Sequence, residues 1–370
     1  KYIIISFIMS FFLLVNSTYG KSTKKTFKDK SKNPSQSKKF WDKLDLTTEM
    51  NTRILDSEFV KARILGFHIG LDYEYDLSED MKFFLVSKAI LETGSNEVIG
   101  TFAEYEPNES ISLDSGGIIY SPLSSSLELS LGALNQRSLN SPLLIGSHPF
   151  AGAQEKLSFY NFYIRLQQTI PSNNNLSKRI GAVETGTPYF SSESFGGEFG
   201  TKHRFQFEVS HFSFRDLSPS IAEKSQVFGN STEGTGISTK FLYGFDGVNL
   251  QLKTSFVFSG FELEFGGHYL YNDKAPDDRN KGTLVFSSFK TGSIGLILEN
   301  FSNESDTSPA FYNSGNYGHN NMQGNAIVLD FYRQTMSSRI RLAQMDPIEG
   351  SSVQSQTYMM TFQVSRPFSF

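Results

Sequence analysis

The chain has 370 residues and a mass of 41.5 kDa, and 34 Lys and Arg against 38 Asp and Glu leave a formal charge of −4. That total asks for no nucleic acid. A hydrophobic content of 38% with a mean hydropathy of −0.29 excludes a bundle of membrane helices, and the absence of cysteine excludes disulfide scaffolds, thiolate metal sites and cysteine nucleophiles. Yet 35 Phe, 16 Tyr and 30 Gly are an unusual load for a polar chain.

In chain order, Lys1 is followed by an uncharged, mostly apolar run from Tyr2 to Val15 and then by Asn16, Ser17, Thr18, Tyr19 and Gly20. A basic start, a short apolar core and a small-residue exit predict a secretory signal peptide over residues 1–20. The run falls short of the ~20 residues a spanning helix needs. Residues 21–43 carry nine lysines against only Asp29 and Asp42, with Ser, Thr, Asn and Pro between them. So little apolar surface predicts a disordered, Lys-rich periplasmic tail.

From residue 44 to 370 the hydrophobic period is two. Phe67, Ile69, Leu71 and Tyr73 alternate with His68, Gly70, Asp72 and Glu74. Leu127, Leu129 and Leu131 alternate with Glu128, Ser130 and Gly132; Phe205, Phe207 and Val209 alternate with Arg204, Gln206 and Glu208. Successive side chains of a strand point to opposite faces, so each segment has one apolar and one polar face. The body is expected to be all-β. A soluble sandwich would hide the apolar faces between two sheets, whereas a membrane barrel turns them to lipid and keeps the polar faces around a lumen. Runs of about ten residues, polar faces with charges of both signs, and enough aromatics for two interfacial girdles favour the barrel.

The C-terminus reads Tyr358, Met360, Phe362, Val364, Phe368 and Phe370 at alternate positions, interrupted by Arg366 and Pro367. Here the chain resembles the outer-membrane β-barrel proteins of Gram-negative bacteria, in a porin-like layout. Members of that family end in a strand whose last residue is aromatic, which their assembly machinery reads. The resemblance implies a closed antiparallel transmembrane barrel with long outer loops and short periplasmic turns. It also implies contact with outer-membrane lipid and lipopolysaccharide, recognition by barrel-assembly machinery, small solutes as cargo and a homotrimeric assembly. At about twenty residues per strand and connection, residues 44–370 make about sixteen strands, within a range of 14–18.

Counting back from the C-terminus predicts outer connections at 346–355, 302–323 and 272–280, and inner turns at 334–337, 290–292 and 259–260. The alternation then breaks. A short turn around Phe245, Asp246 and Gly247 falls on the outer side and the long segment 216–235 on the inner side.

No residue pattern calls for catalysis. Gly-x-Ser-x-Gly and His-Glu-x-x-His patterns are absent, and His203 and His211 among phenylalanines read as packing. No metal site and no cofactor is expected. The polar faces place Asp72, Glu74, Glu128, Arg165, Gln167, Arg204, Glu208, Lys253, Glu262, Glu264, His268, Arg339 and Arg341 toward the lumen. Opposed acidic and basic rows can set the ion preference of a diffusion pore. Segments 138–155 and 302–323 are long enough to fold inward and narrow it. The expected function is passive diffusion of small hydrophilic solutes or ions. The alternatives are a non-conducting barrel with a structural or surface-binding role and, third, an outer-membrane hydrolase.

Overall fold

A computed structural model describes residues 44–98, 107, 109–122, 126–136, 140–146, 148–171, 186–333 and 335–369. The expected signal peptide, the Lys-rich tail and Phe370 lie outside the described residues.

The first nine strands are β1 (Leu44–Ser57), β2 (Val60–Asp76), β3 (Met81–Val98), β4 (Glu109–Tyr120), β5 (Leu127–Asn135), β6 (Pro149–Phe159), β7 (Phe162–Ile170), β8 (Tyr189–Phe199) and β9 (His203–Arg215). A connection follows that holds helix α1 (Pro219–Val227) and a small hairpin of β10 (Thr232–Glu233) and β11 (Lys240–Phe241). The remaining strands are β12 (Phe245–Val257), β13 (Phe261–Asn272), β14 (Lys281–Thr291), β15 (Ile294–Asn303), β16 (Met322–Arg333), β17 (Met336–Pro347) and β18 (Thr357–Ser369). Apart from the β10–β11 hairpin, every strand pairs antiparallel with its neighbours in sequence. β18 closes the ring on β1, from Asp45 opposite Ser369 to Ser57 opposite Thr357. The result is a closed transmembrane barrel of sixteen strands. Closure gives each barrel strand a neighbour on both sides, as a lipid environment demands.

Which face points out follows from exposure. Leu65, Phe67 and Ile69 on β2, Leu252 and Phe256 on β12, Leu298 on β15 and Leu342 on β17 are exposed, while the alternate residues Ile64, His68, Ser255, Phe301 and Arg341 are buried. A one-residue slip would invert the pattern, so the lipid and lumen faces fix the register. Aromatic rings gather at the short-turn end of the outer surface, where Phe159, Phe162, Phe195, Phe199, Phe205 and Phe207 stack with centroids 5.2–6.5 Å apart. The cluster spans the four neighbouring strands β6–β9.

One expectation is corrected at residues 216–247. Phe245, Asp246 and Gly247 form no turn; they open β12, paired with Phe214, Ser213 and Phe212 of β9. The segments 216–235 and 236–244 are parts of one long connection at the long-loop end. The alternation of long and short connections therefore continues through this point. The count failed because Lys240 and Phe241 alternate like strand residues but pair only with Thr232 and Glu233. Helix α1 is also unannounced in the sequence. It has no apolar stripe, and only Ile221, Ala222 and Ser225 are buried.

Candidate functional site: an eccentric lumen

The outer third of the barrel interior is a packed core. Leu143, Leu144 and Ile145 from the connection 136–148, Ile221 from α1 and Tyr312 from the connection 304–321 pack against Phe150, Phe190, Phe212, Phe214 and Phe245 of the wall. Tyr312 lies 5.1 Å from Phe150 and 5.9 Å from Phe214, and Phe190 lies 4.6 Å from Phe214, ring centre to ring centre. Three connections thus fold inward onto an aromatic patch of β6, β8, β9 and β12. The expected inward loops are partly those predicted: 140–146 and 304–321 enter the barrel, but residues 149–155 belong to β6.

Backbone groups brought inside must be paired, and asparagines do most of this. Asn320 accepts from the Nδ2 groups of Asn303 (2.7 Å) and Asn313 (2.6 Å) and donates to the carbonyls of Ser305 and Ser308 (2.8 and 2.7 Å). Asn230 donates to the same two carbonyls and accepts from the Ala310 amide. Backbone bonds from Gly146 to Tyr312 and from Ser314 to Pro142 staple one connection to the other. Asp306 accepts from the amide and hydroxyl of Ser231, and its burial raises its pKa above the usual carboxylate range against those bonds. Burial likewise pushes the Tyr312 hydroxyl up.

These connections fill one side of the lumen and leave the other open. A cavity of about 1240 Å³ runs beside β1–β3 and β15–β18, lined by Glu49, Arg53, His68, Lys88, Glu92, Glu299, Arg339 and Arg341 among others. From β12 and β13 only Gln251 and His268 reach it, and the loops contribute residues such as Asn313, Asn316 and Tyr317.

On the β1–β3 wall, His68 is 6% exposed, with Nδ1 3.2 Å from Glu49 and Nε2 3.6 Å from Glu92. Gln363 of β18 donates to the other Glu49 oxygen at 2.8 Å. Gly66 makes this cluster possible: a Cβ there would stand 2.3 Å from the Asn51 amide oxygen and 3.1 Å from His68 Nε2. On the adjoining strands β16 and β17, Arg339 forks onto both oxygens of Asp330 at 2.7 and 2.9 Å. Arg341 donates from Nε and Nη2 to Glu299 at 3.2 and 3.0 Å. Such charge-assisted bonds fix the orientation of the two guanidinium groups.

All thirteen residues read as lumen-directed occupy the inward set of register positions, but they do not meet in one place. Of them only His268, Arg339 and Arg341 border the cavity. Asp72 and Glu74 stand at the short-turn end of β2, with Glu74 accepting from Lys82. Glu128 lies opposite Lys156. Arg165 is closed off by Glu208 at 2.7 Å, beside Gln167, on the filled side. A Tyr163 hydroxyl bond to Glu208 crosses over Gly196, where a Cβ would sit 2.4 Å from the Tyr163 ring. Arg204 pairs with Glu262 and Lys253 with Glu264. The sequence reading missed Arg53, Lys88, Glu92, Glu299 and Asp330, although each has lumen parity once its strand is counted.

In β18, Tyr358, Met360, Phe362, Val364 and Phe368 face outward, and Pro367 falls in the pairing with β1 beside Thr47. Among the described residues no three His, Asp or Glu side chains are grouped to hold a metal ion. His203 lies against the rings of Phe256 and Phe258.

No family model matches the chain, and no curated protein matches it in sequence. Solved structures do. The high-pH structure of Pseudomonas putida OprB superposes with a TM-score of 0.61 at 12% identity, covering 88% of this chain and 93% of that one. The low-pH structure of the same protein gives 0.53 at 9%, covering 88% and 91%. The likeness is one of fold.

Proposed function

We propose that this protein is an outer-membrane, porin-like channel through which small hydrophilic solutes diffuse passively. The observation that carries this reading is the eccentric cavity of about 1240 Å³, walled by charged and amide side chains inside a sixteen-strand barrel whose outer face is apolar. A barrel of this strand number is too wide for its own side chains to fill. Solutes would pass along the β1–β3 and β15–β18 wall, sized by the inward loops. Because Arg339 and Arg341 are each paired, ion preference would rest less on them than their spacing suggests.

The rest of the reading follows from the same setting. Residues 1–20 would direct export, and the strand ending in Phe370 would be read by the barrel-assembly machinery of a Gram-negative cell. Lipopolysaccharide would surround the long-loop rim, and the protein would act as a homotrimer without cofactor or chemical step. The loop core favours a second reading, in which the outer third is shut and the barrel serves as a non-conducting structural or surface-binding protein. Planar-bilayer recording separates the two: stepwise ionic currents from purified protein support the channel, and silence at high protein load removes it.

A further inference from the structure

Two arginines of the open wall share one rung of the barrel. Arg341 on β17 is opposite Thr361 on β18, and Thr361 is opposite Arg53 on β1. All three line the cavity. Neighbouring strands are ~4.8 Å apart, which puts the two arginine backbones about 10 Å apart, close enough for both long side chains to reach one small group. Arg341 is 6% exposed, and its Nη1 has no hydrogen-bond partner although Nε and Nη2 are both engaged by Glu299. Arg53 makes no ion pair among the described residues. Arg339, two residues along β17 from Arg341, by contrast donates from Nε and Nη2 to both oxygens of Asp330. Across the cavity, Gln251 presents a further Nε2 donor without a partner. The carboxylates next inward, Glu92 and Glu49, are held by His68.

A buried, unmet guanidinium donor beside an unpaired guanidinium asks for an acceptor that is also negative. Neither a cation nor a neutral hydroxyl meets both demands, and a planar fork of N–H groups matches an oxyanion. We propose that Arg53, Thr361 and the free edge of Arg341 form an anion subsite in the lumen that takes the oxyanion group of a passing solute, a carboxylate or a phosphate. The inference rests on the channel reading for its place in transport, but binding can be measured without it.

The test uses two readouts on the intact barrel. Single-channel chloride current is titrated with acetate, with inorganic phosphate and with glycerol, and the two anions are also titrated into the detergent-solubilised barrel by calorimetry. At least one anion should reduce the current saturably and bind in the calorimeter, with glycerol inert. Arg53→Gln should weaken that binding about tenfold, the loss expected of a charge-assisted contact. The double change Arg341→Gln with Glu299→Gln removes the second arginine without stranding a charge and should weaken it similarly. Acetate alone marks a carboxylate solute, and phosphate alone a phosphorylated one or free phosphate. Binding that neither variant weakens overturns the subsite, as does failure of both anions to bind. A silent channel with normal anion binding overturns the channel reading and leaves the subsite standing.

Discussion

The two sides of this lumen follow different rules. Along β6, β8, β9 and β12 the inward positions of the outer third hold Phe150, Phe190, Phe212, Phe214 and Phe245, and the loops pack onto them as onto a soluble core. Along β1–β3 and β15–β18 only residues nearest the long-loop rim, among them Leu55, Met322 and Met345, join that core, while at mid-depth Glu49, His68, Glu92, Arg339 and Arg341 line open space. An aromatic wall recruits loops because burying apolar surface is favourable. A charged wall offers no such gain and meets the loops only at single contacts, such as Tyr317 on Arg341 and Glu299. The position of the open space thus goes with which strands carry rings inward.

That contrast can be broken from the filled side first. Phe190→Ala removes a fully buried ring from the centre of the loop core and should cost about 3–5 kcal/mol in detergent unfolding. Thr361→Ala on the open wall should stay within about 0.5 kcal/mol. Equal losses at both positions would mean that the walls do not differ. On the open side, Glu299→Gln strands the nearly buried Arg341 charge and should lower stability by about 2–3 kcal/mol. Changing Arg341 to Gln as well should restore part of it, and a double variant no better than the single one would contradict the pairing.

A smaller effect concerns pH. Asp306 has a raised pKa because burial disfavours its ionised form. The folded loops then hold its proton more tightly than the unfolded chain does. Its contribution to loop stability is complete below the ordinary carboxylate range and is lost as the pH climbs through the raised value. Hydrogen exchange at the Ser231 amide, which donates to Asp306 at 2.9 Å, should accelerate over that interval beyond its intrinsic pH dependence. An intrinsic profile alone would mean that the carboxyl is not strained by burial. The smallest change is expected of Lys82→Ala, which breaks a largely exposed pair with Glu74 and should shift stability by no more than about 0.5 kcal/mol.

Most of the barrel was legible because its register is written in a period of two, and a slip would turn Leu65 and Phe67 inward. The C-terminal strand and the last six connections were legible for the same reason. The filled side was not, because the polar-inward rule changes there within single strands. Glu208 and Phe212 lie on the same face of β9, and so do Gln251 and Phe245 on β12. Such a switch from charge to ring along one face marks where a loop will be received, and it was present in the sequence unread. The open wall was only partly legible. Parity places Arg339 and Arg341 inward, but Glu299 and Asp330 reach them from β15 and β16, and only the register brings those strands beside β17.

The central claim is that the open wall is a solute path. Its most direct test is single-channel recording in planar bilayers of the wild-type barrel and of Asn320→Ala, which removes the side chain that binds Asn303, Asn313, Ser305 and Ser308 together. The account predicts stable stepwise currents for the wild type and a larger or noisier conductance for the variant, because its loops are no longer held against the filled side. A silent wild type that begins to conduct only in the variant would contradict the claim, showing instead that the loop core closes the barrel.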